Sequence, residues 1–461
     1  MSQEVGPLNT LLWAPRAWIA GAWAESVLLE ADAQGRWARV SAGQPASAGA
    51  EVLEGAVLPG MVNAHSHAFQ RAFVGLAERR DGAHDDFWSW RDRMYGVALR
   101  ITPEQLQAVA TQLYAELLAG GYTQVCEFHY LHHDHDGKPY ADEATMCRAL
   151  AAAAQDTGIG LTLLPVLYER AGFQQSGLRD DQRRFAADLG RVLRLRDQIR
   201  GWQLPLVQAG VAVHSLRAAK PASLQALARE LAGDAGPIHI HIAEQTAEVD
   251  ACVAHNGARP IEWLARELPL DSRWLLVHAT HATPQEIESV AASGAGIVLC
   301  PGTEANLGDG LCDLPRWLDA GVPLSVGSDS QVVRAWPEEL RWLEYGQRLA
   351  LRQRNVAAAP GQQPSSAARL LDACLSGGGT AAGQVSWGFE VGARADLLML
   401  NSAEAAICAV PPSHWIDALV FSAAAAPFAR SMVAGRWMPP VDQSGAVQAR
   451  FQSAMAQLWQ A

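Results

Sequence analysis

The strongest constraint on how this chain folds is a pattern that recurs along its length: short apolar runs, each ending in a side chain able to bind a metal. Val57-Leu58-Pro59-Gly60-Met61-Val62-Asn63-Ala64 closes on His65-Ser66-His67, and Ile238-His239-Ile240-His241-Ile242-Ala243 closes on Glu244. Leu275-Leu276-Val277 closes on His278, and Leu324-Ser325-Val326-Gly327-Ser328 on Asp329. Apolar runs of this length read as buried strands. On a strand, the i, i+2 spacing of His65 and His67 points both imidazoles to one side, where a single ion can take both. Such a pair alone is weak, because a loop histidine pair is usually solvated. In series with His241, His278 and Asp329 it places metal-competent side chains at the carboxyl ends of successive strands, the top rim of a (β/α)8 barrel.

Eight strand segments fit that barrel: residues 57–64, 123–128, 161–167, 209–214, 238–243, 274–278, 296–299 and 323–327. Helical patterns over 103–119, 141–157, 222–232 and 337–352 fall between or after them, as parallel strands require. Short hydrophobic stretches broken by turn residues, before residue 56 and again after 388, predict a small β-sandwich built from both ends of the chain. The expected organisation is a barrel over 57–387 and a β-sandwich over 1–56 and 388–461.

With 461 residues, 49% hydrophobic and 18% charged, the chain has material for a large core and too little charge for disorder. Its net charge of −12 comes with no basic run, which argues against nucleic acid as a partner and leaves any anionic substrate to a few local cations. Lysine occurs only at Lys138 and Lys220. The seven cysteines are scattered without a Cys-x-x-Cys pair, which fits neither a disulfide framework nor a thiolate zinc site and suits the cytoplasm. No stretch reaches the roughly 18 apolar residues that cross a bilayer, and no signal-peptide pattern opens the chain, so no membrane association is expected.

The order of these residues resembles the amidohydrolase superfamily, whose barrels set a strand-1 His-x-His, histidines of strands 5 and 6 and a strand-8 aspartate around a catalytic metal. The resemblance spans the whole chain. It implies that His65, His67, His241 and Asp329 bind the metal, with His278 beside it. Binuclear members bridge their ions with a carboxylated lysine or a glutamate at strand 3 or 4. Lys138 and Lys220 lie off those strand ends, although Glu169 follows strand 3, so one ion per subunit is expected. Nitrogen and carboxylate donors without thiolates suit Zn²⁺ and would also tolerate Fe²⁺ or Mn²⁺. Deaminating members carry a His-x-x-Glu motif, matched here by His241 and Glu244, whose glutamate shuttles protons. In that chemistry a metal-activated hydroxide attacks an sp² carbon and the amine leaves once protonated. Asp329 would take the water's proton while His278 stabilises the developing charge.

Within the superfamily, the segments from Pro59 to Arg71, Glu127-Phe128-His129-Tyr130-Leu131-His132-His133, His214-Ser215-Leu216-Arg217 and Gly327-Ser328-Asp329-Ser330 resemble the N-formimino-L-glutamate deiminases of bacterial histidine degradation. That resemblance implies hydrolysis of N-formimino-L-glutamate to N-formyl-L-glutamate and ammonia. Two carboxylates beside a small amidine call for a forked cation and several neutral donors. Arg217 is the expected clamp, with Gln70, Tyr130 and His214 as further donors and Arg91 as a second anchor. Val213 departs from the pattern, which has proline there.

Arg91 sits in the aromatic and arginine-rich segment from Asp85 to Tyr95. This segment reads equally as a lid, an arm to a neighbouring subunit, or an amphipathic helix with solvated charges; as an exposed contact it would suit a homodimer. His129, His132, His133 and His135 read as structural rather than as a second metal site, and His239 as a neutral buried histidine bonding a polar neighbour. One rival reading is a deaminase of a ring such as guanine or 8-oxoguanine, which shares every metal ligand but has less need of Arg217. The other is a catalytically silent scaffold, against which the intact ligand set argues.

Overall fold

The computed structural model describes residues 10–80, 86–423, 427–439 and 445–459, so Asp85 lies outside the described residues. Eight parallel strands follow one another around a ring: β1 (Met61–Ser66), β2 (Tyr122–His129), β3 (Gly160–Leu167), β4 (Val211–Val213), β5 (Ile238–Ile242), β6 (Trp274–His278), β7 (Gly296–Leu299) and β8 (Leu324–Val326). The ring closes where the end of β8 meets β1. There the Asp329 N–H donates to the His65 carbonyl at 3.0 Å and the His67 N–H to the Asp329 carbonyl at 3.2 Å. Gly327 permits this approach, since a Cβ on it would stand 2.7 Å from the His65 backbone. The barrel is the one the strand pattern predicts.

β2, β3, β5 and β6 are buried along their whole length, which is why they read as continuous apolar runs and not as alternating ones. The intervening helices start on local signals. The Thr102 hydroxyl accepts the Gln105 N–H, the Gln105 side chain accepts the Thr102 N–H, and Pro103 opens the helix Pro103–Ala119.

Two expectations need correction. The segment 57–64 is not one strand: Val57–Pro59 pairs with Thr10–Ile19 and antiparallel with Leu397–Leu400, and the barrel begins only at Met61. Pro59 has no N–H to continue a ladder, and a Cβ on Gly60 would lie 2.1 Å from Thr123 Oγ1, so the chain turns into the barrel at this pair. Val57 accordingly packs with Leu12, Leu29, Trp37, Leu397 and Met432 in the separate core of the terminal sheet. That eight-stranded sheet joins Thr10–Ile19, Ala22–Ala31 and Trp37–Ser41 to strands from the C-terminal segment.

The stretch after residue 388 is also not wholly β. Helix Trp415–Phe421 packs on Ser366–Ala381 and Trp336–Leu351, and helix Ala446–Trp459 packs on Pro103–Ala119. Phe451, Ala454, Met455 and Leu458 repeat at helical spacing and turn toward the barrel's core, a stripe that marks an amphipathic helix.

The bottom of the barrel is sealed by the end of helix Ser366–Ala381. The Ala381 carbonyl accepts from His239 Nε2 at 2.9 Å and the Ala382 carbonyl from Thr162 Oγ1 at 3.0 Å. All seven cysteines are free. Among the described residues no helix is long and apolar enough to cross a membrane.

Candidate active site

The upper rim gathers what the sequence places at the strand ends. His65 Nε2 lies 3.0 Å from His241 Nε2, and Asp329 Oδ1 lies 3.4 Å from the Nε2 atoms of both His65 and His67. His278 Nε2 stands 3.8 Å from Asp329 Oδ2 and 3.7 Å from Glu244 Oε1. All six side chains are buried. Backbone strain is concentrated at the same rim: Ala243, His278 and Asp329 have φ of 52°, 70° and 45°, left-handed values that cost a non-glycine residue about 1–3 kcal/mol each.

The hydrogen-bonding of the rings tests whether a metal fits. His67 Nδ1 donates to the Phe128 carbonyl at 2.9 Å and His241 Nδ1 to the His214 carbonyl at 3.0 Å. A ring nitrogen bonded to a carbonyl must carry the proton, so the Nε2 of each keeps its lone pair for the cluster. Burial pushes His65 down to about 3 and holds His67 and His241 below the ordinary imidazole value. Burial alone would raise Asp329, but the surrounding histidines, His65 first, hold it below the usual carboxylate range. The donor atoms of His65, His67 and Asp329 lie within 4.8 Å of one another, as do those of His65, His241 and His278. Neutral imidazoles converging on an ionised carboxylate form a set that fits a divalent metal.

Over this cluster opens a pocket lined by Gln70, Arg91, Tyr130, His214 and Arg217, with Glu244, His278 and Asp329 at its floor. One wall is the helix Phe87–Ala98, capped by Asp86 Oδ1, which accepts the N–H groups of Trp88 and Ser89 at 2.9 and 3.1 Å. Phe87, Met94 and Tyr95 are buried against the pocket of their own chain. The segment therefore serves as a wall of that pocket, with Trp88 and Trp90 half-buried.

Arg91 and Arg217 lie over the Trp88 indole at 4.8 and 5.2 Å. Arg91 pairs with exposed Asp92 at 3.2 Å, which leaves its buried Nε without a partner, and Arg217 forms no ion pair among the described residues. Gln70 Nε2 donates to the Tyr130 hydroxyl at 3.2 Å, while its buried Oε1 stays open as an acceptor. Burial of Glu244, opposed by His278 and reinforced by Asp329 and Glu248, raises its carboxyl to about 7, where it can gain or release a proton at neutral pH. Burial would lower His278, but the neighbouring carboxylates, Glu244 foremost, outweigh it and raise the ring.

Some of the site was not foreseen. Glu304 Oε1 lies 3.3 Å from His278 Nδ1 and accepts the Cys300 N–H at 2.9 Å. Cys300 clusters with His278 and Asp329, although burial pushes its thiol well up and away from the thiolate. The apolar run of β7 ends directly before Cys300, so the rule that flagged the other strand ends applies there too. Tyr95, Tyr168 and Phe185 also line the pocket and carry no comparable signal.

Glu169, weighed as a bridging ligand, instead accepts the Lys220 N–H at 2.8 Å and the Ser223 hydroxyl at 2.9 Å at the start of helix Pro221–Glu230. His132 and His133 donate to the carbonyls of Val166 and Ala186 at 3.2 and 2.7 Å, and neither joins a metal-competent cluster among the described residues.

Comparison with known proteins agrees with this geometry. Residues 56–438 match the amidohydrolase family. A formimidoylglutamate deiminase of Pseudomonas aeruginosa is 46% identical over 433 residues, covering 93% of this chain and 94% of that protein. The crystal structure of an amidohydrolase from Brucella melitensis superposes with a TM-score of 0.91 at 40% identity, covering 97% of this chain and 99% of the other. An adenosine deaminase structure from Xanthomonas campestris, with bound zinc, shares the fold at a TM-score of 0.80 and 22% identity over 99% of both chains.

Proposed function

The chain belongs to the amidohydrolase family, and from that premise we propose that it hydrolyses N-formimino-L-glutamate to N-formyl-L-glutamate and ammonia. The observation that carries this reading is the pair Arg91 and Arg217, two guanidinium groups gathered over the Trp88 ring at the pocket wall, of which Arg217 forms no ion pair among the described residues. A substrate with two carboxylates answers both; a neutral ring answers neither. Gln70 Oε1, buried and open, accepts an N–H of the formimino group, while Tyr130 and His214 complete the polar lining.

One Zn²⁺ per subunit would be held by His65, His67, His241 and Asp329, and when bound supplies the Lewis acidity that makes water nucleophilic at neutral pH. The chain's own residues handle the protons. Water adds to the formimino carbon, a C=O bond forms, and the bond to the terminal nitrogen breaks. The attacking water gives up both its protons, the first to Asp329, which is held ionised, and Glu244, balanced near neutrality, delivers two in turn to the terminal nitrogen, which departs as ammonia. His278 faces Glu244 and Asp329 and donates to the developing oxygen. Histidine degradation in the cytoplasm, by a homodimer, completes the reading.

The test is ammonia release by zinc-loaded protein offered N-formimino-L-glutamate, guanine and 8-oxoguanine in parallel. Turnover of the dicarboxylate alone is expected. Turnover of a ring instead would overturn the pocket assignment and favour the ring deaminase. Light scattering giving a monomer would remove the homodimer.

A further inference from the structure

We infer that Gln182, which lies behind the pocket wall and not in it, is the positioning residue that fixes the carboxylate-binding half of the pocket. The inference rests on the dicarboxylate reading above. Gln182 sits in the turn Asp180–Phe185 and is 1% exposed. Its Oε1 accepts the Arg179 N–H at 3.2 Å, which orients the amide and turns both Nε2 hydrogens the other way. Those hydrogens go to the Tyr95 and Tyr168 hydroxyls, each at 3.1 Å.

The two phenols belong to different parts of the fold, Tyr95 to the wall helix Phe87–Ala98 and Tyr168 to the end of β3. Each leads to a proposed substrate contact. The Arg91 guanidinium lies over the Tyr95 ring at 5.4 Å, and the Tyr168 ring packs on His214 at 4.2 Å. Phe185, from the same turn as Gln182, fills the space between them at 5.3 Å from Tyr95 and 5.7 Å from Tyr168. Because each phenol accepts from the amide, each keeps its own O–H to donate elsewhere. One buried carboxamide thus pins the wall helix to the barrel rim and sets Arg91 and His214 together. An apolar side chain there would remove the amide's bonds to both phenols and release the helix.

The experiment compares wild type with Gln182→Leu, Tyr95→Phe and the double variant as full-length, zinc-loaded protein, by steady-state kinetics and by amide hydrogen exchange. Gln182→Leu is expected to raise KM for N-formimino-L-glutamate about tenfold while kcat stays within about threefold, since the loss falls on binding and not on the proton-handling groups. Tyr95→Phe is expected to give a smaller rise in KM, and the double variant to add little beyond Gln182→Leu, as partners in one contact do. Amides of residues 87–98 should exchange faster in Gln182→Leu, and those of β5 and β6 should not.

An unchanged KM with a lower active fraction, or unchanged exchange over 87–98, would overturn the inference. If Gln182→Leu does not fold, Tyr95→Phe combined with Tyr168→Phe removes both acceptors and keeps the amide; a wild-type KM in that variant overturns it equally. Failure of wild type to turn over N-formimino-L-glutamate would sink the functional reading by itself, whereas the exchange result decides the role of Gln182 independently of substrate.

Discussion

His239 and His241 stand two residues apart on β5 and face the same side of it, yet they do unlike work. His239, in the floor of the barrel, gives its Nε2 hydrogen to the Ala381 carbonyl, and its surroundings are sealed by the end of a helix. His241, at the rim, gives its Nδ1 hydrogen to the His214 carbonyl and so presents Nε2 to His65, 3.0 Å away. Burial depresses both rings, His239 to about 4 and His241 well below its ordinary value. The difference lies in where the second nitrogen points and what meets it. At the floor His239 Nε2 finds a backbone partner and the buried Nδ1 meets none. At the rim the polar groups face one another, and the strained φ values of Ala243, His278 and Asp329 hold them there. Stability and chemistry are divided between the two ends of one strand.

The comparison breaks most visibly at Asp329. Asp329→Ala should lower kcat/KM about a thousandfold or more, the scale of several kcal/mol of lost charge stabilisation, and should also reduce zinc retained on dialysis, measured by elemental analysis. Zinc content and rate both at wild-type level would refute the ligand assignment. Glu244→Gln should lower kcat about a thousandfold with zinc content preserved, because it removes a proton carrier and no ligand. A loss that appeared only in KM would point to a different shuttle.

Arg217→Met should reduce kcat/KM by about a hundredfold, mostly through KM, as expected for stranding one charge of a desolvated pair. At the floor, His239→Leu leaves the Ala381 carbonyl with only the weak Cys126 thiol donor at 3.4 Å and should cost about 1–3 kcal/mol of stability, seen as a lower Tm, while kcat/KM stays near wild type. A collapse of activity there would mean that the floor takes part in the chemistry.

The smallest effect belongs to the lower loops, where Asp234 pairs with Arg200 at 2.7 Å and with Arg196 at 3.2 Å. The hydrogen bond from Arg200 outweighs burial and holds the Asp234 carboxyl below its unfolded value. Its contribution is therefore complete above about pH 4 and is lost as pH falls through and below that. Asp234→Asn should lower Tm by about 1–2 °C at pH 7, a partly exposed pair being worth roughly 1 kcal/mol or less, and the gap from wild type should narrow toward pH 3. A gap that widens with acid would reverse the sign of the argument.

How much could be read from the sequence follows from how local each signal is. A residue at the end of an apolar run can be placed because a strand has a two-residue period and a parallel barrel aligns its strand ends; His65, His67, His241, Glu244, His278 and Asp329 needed nothing more. The same rule, extended to β7, reaches Cys300. It fails at residue 57, because whether an apolar run lies in one sheet or two depends on the contacts of Gly60 with Thr123, far along the chain. For His132 and His133, which crowd in sequence, the structural reading agrees with the fold, which sends them to separate backbone carbonyls.

The sequence by itself therefore determined the barrel and the order of the metal-competent side chains, which rest on periodicity and residue type, while the kind of chemistry came with the resemblance to the amidohydrolases. Only the tertiary structure decided that Glu304 stands behind His278, that the Phe87–Ala98 helix faces its own pocket, and that Gln182 ties Tyr95 to Tyr168. Each of these joins elements distant along the chain through side-chain contacts. Such a contact leaves no period in the sequence and comes into being only when close packing brings its partners within hydrogen-bonding distance.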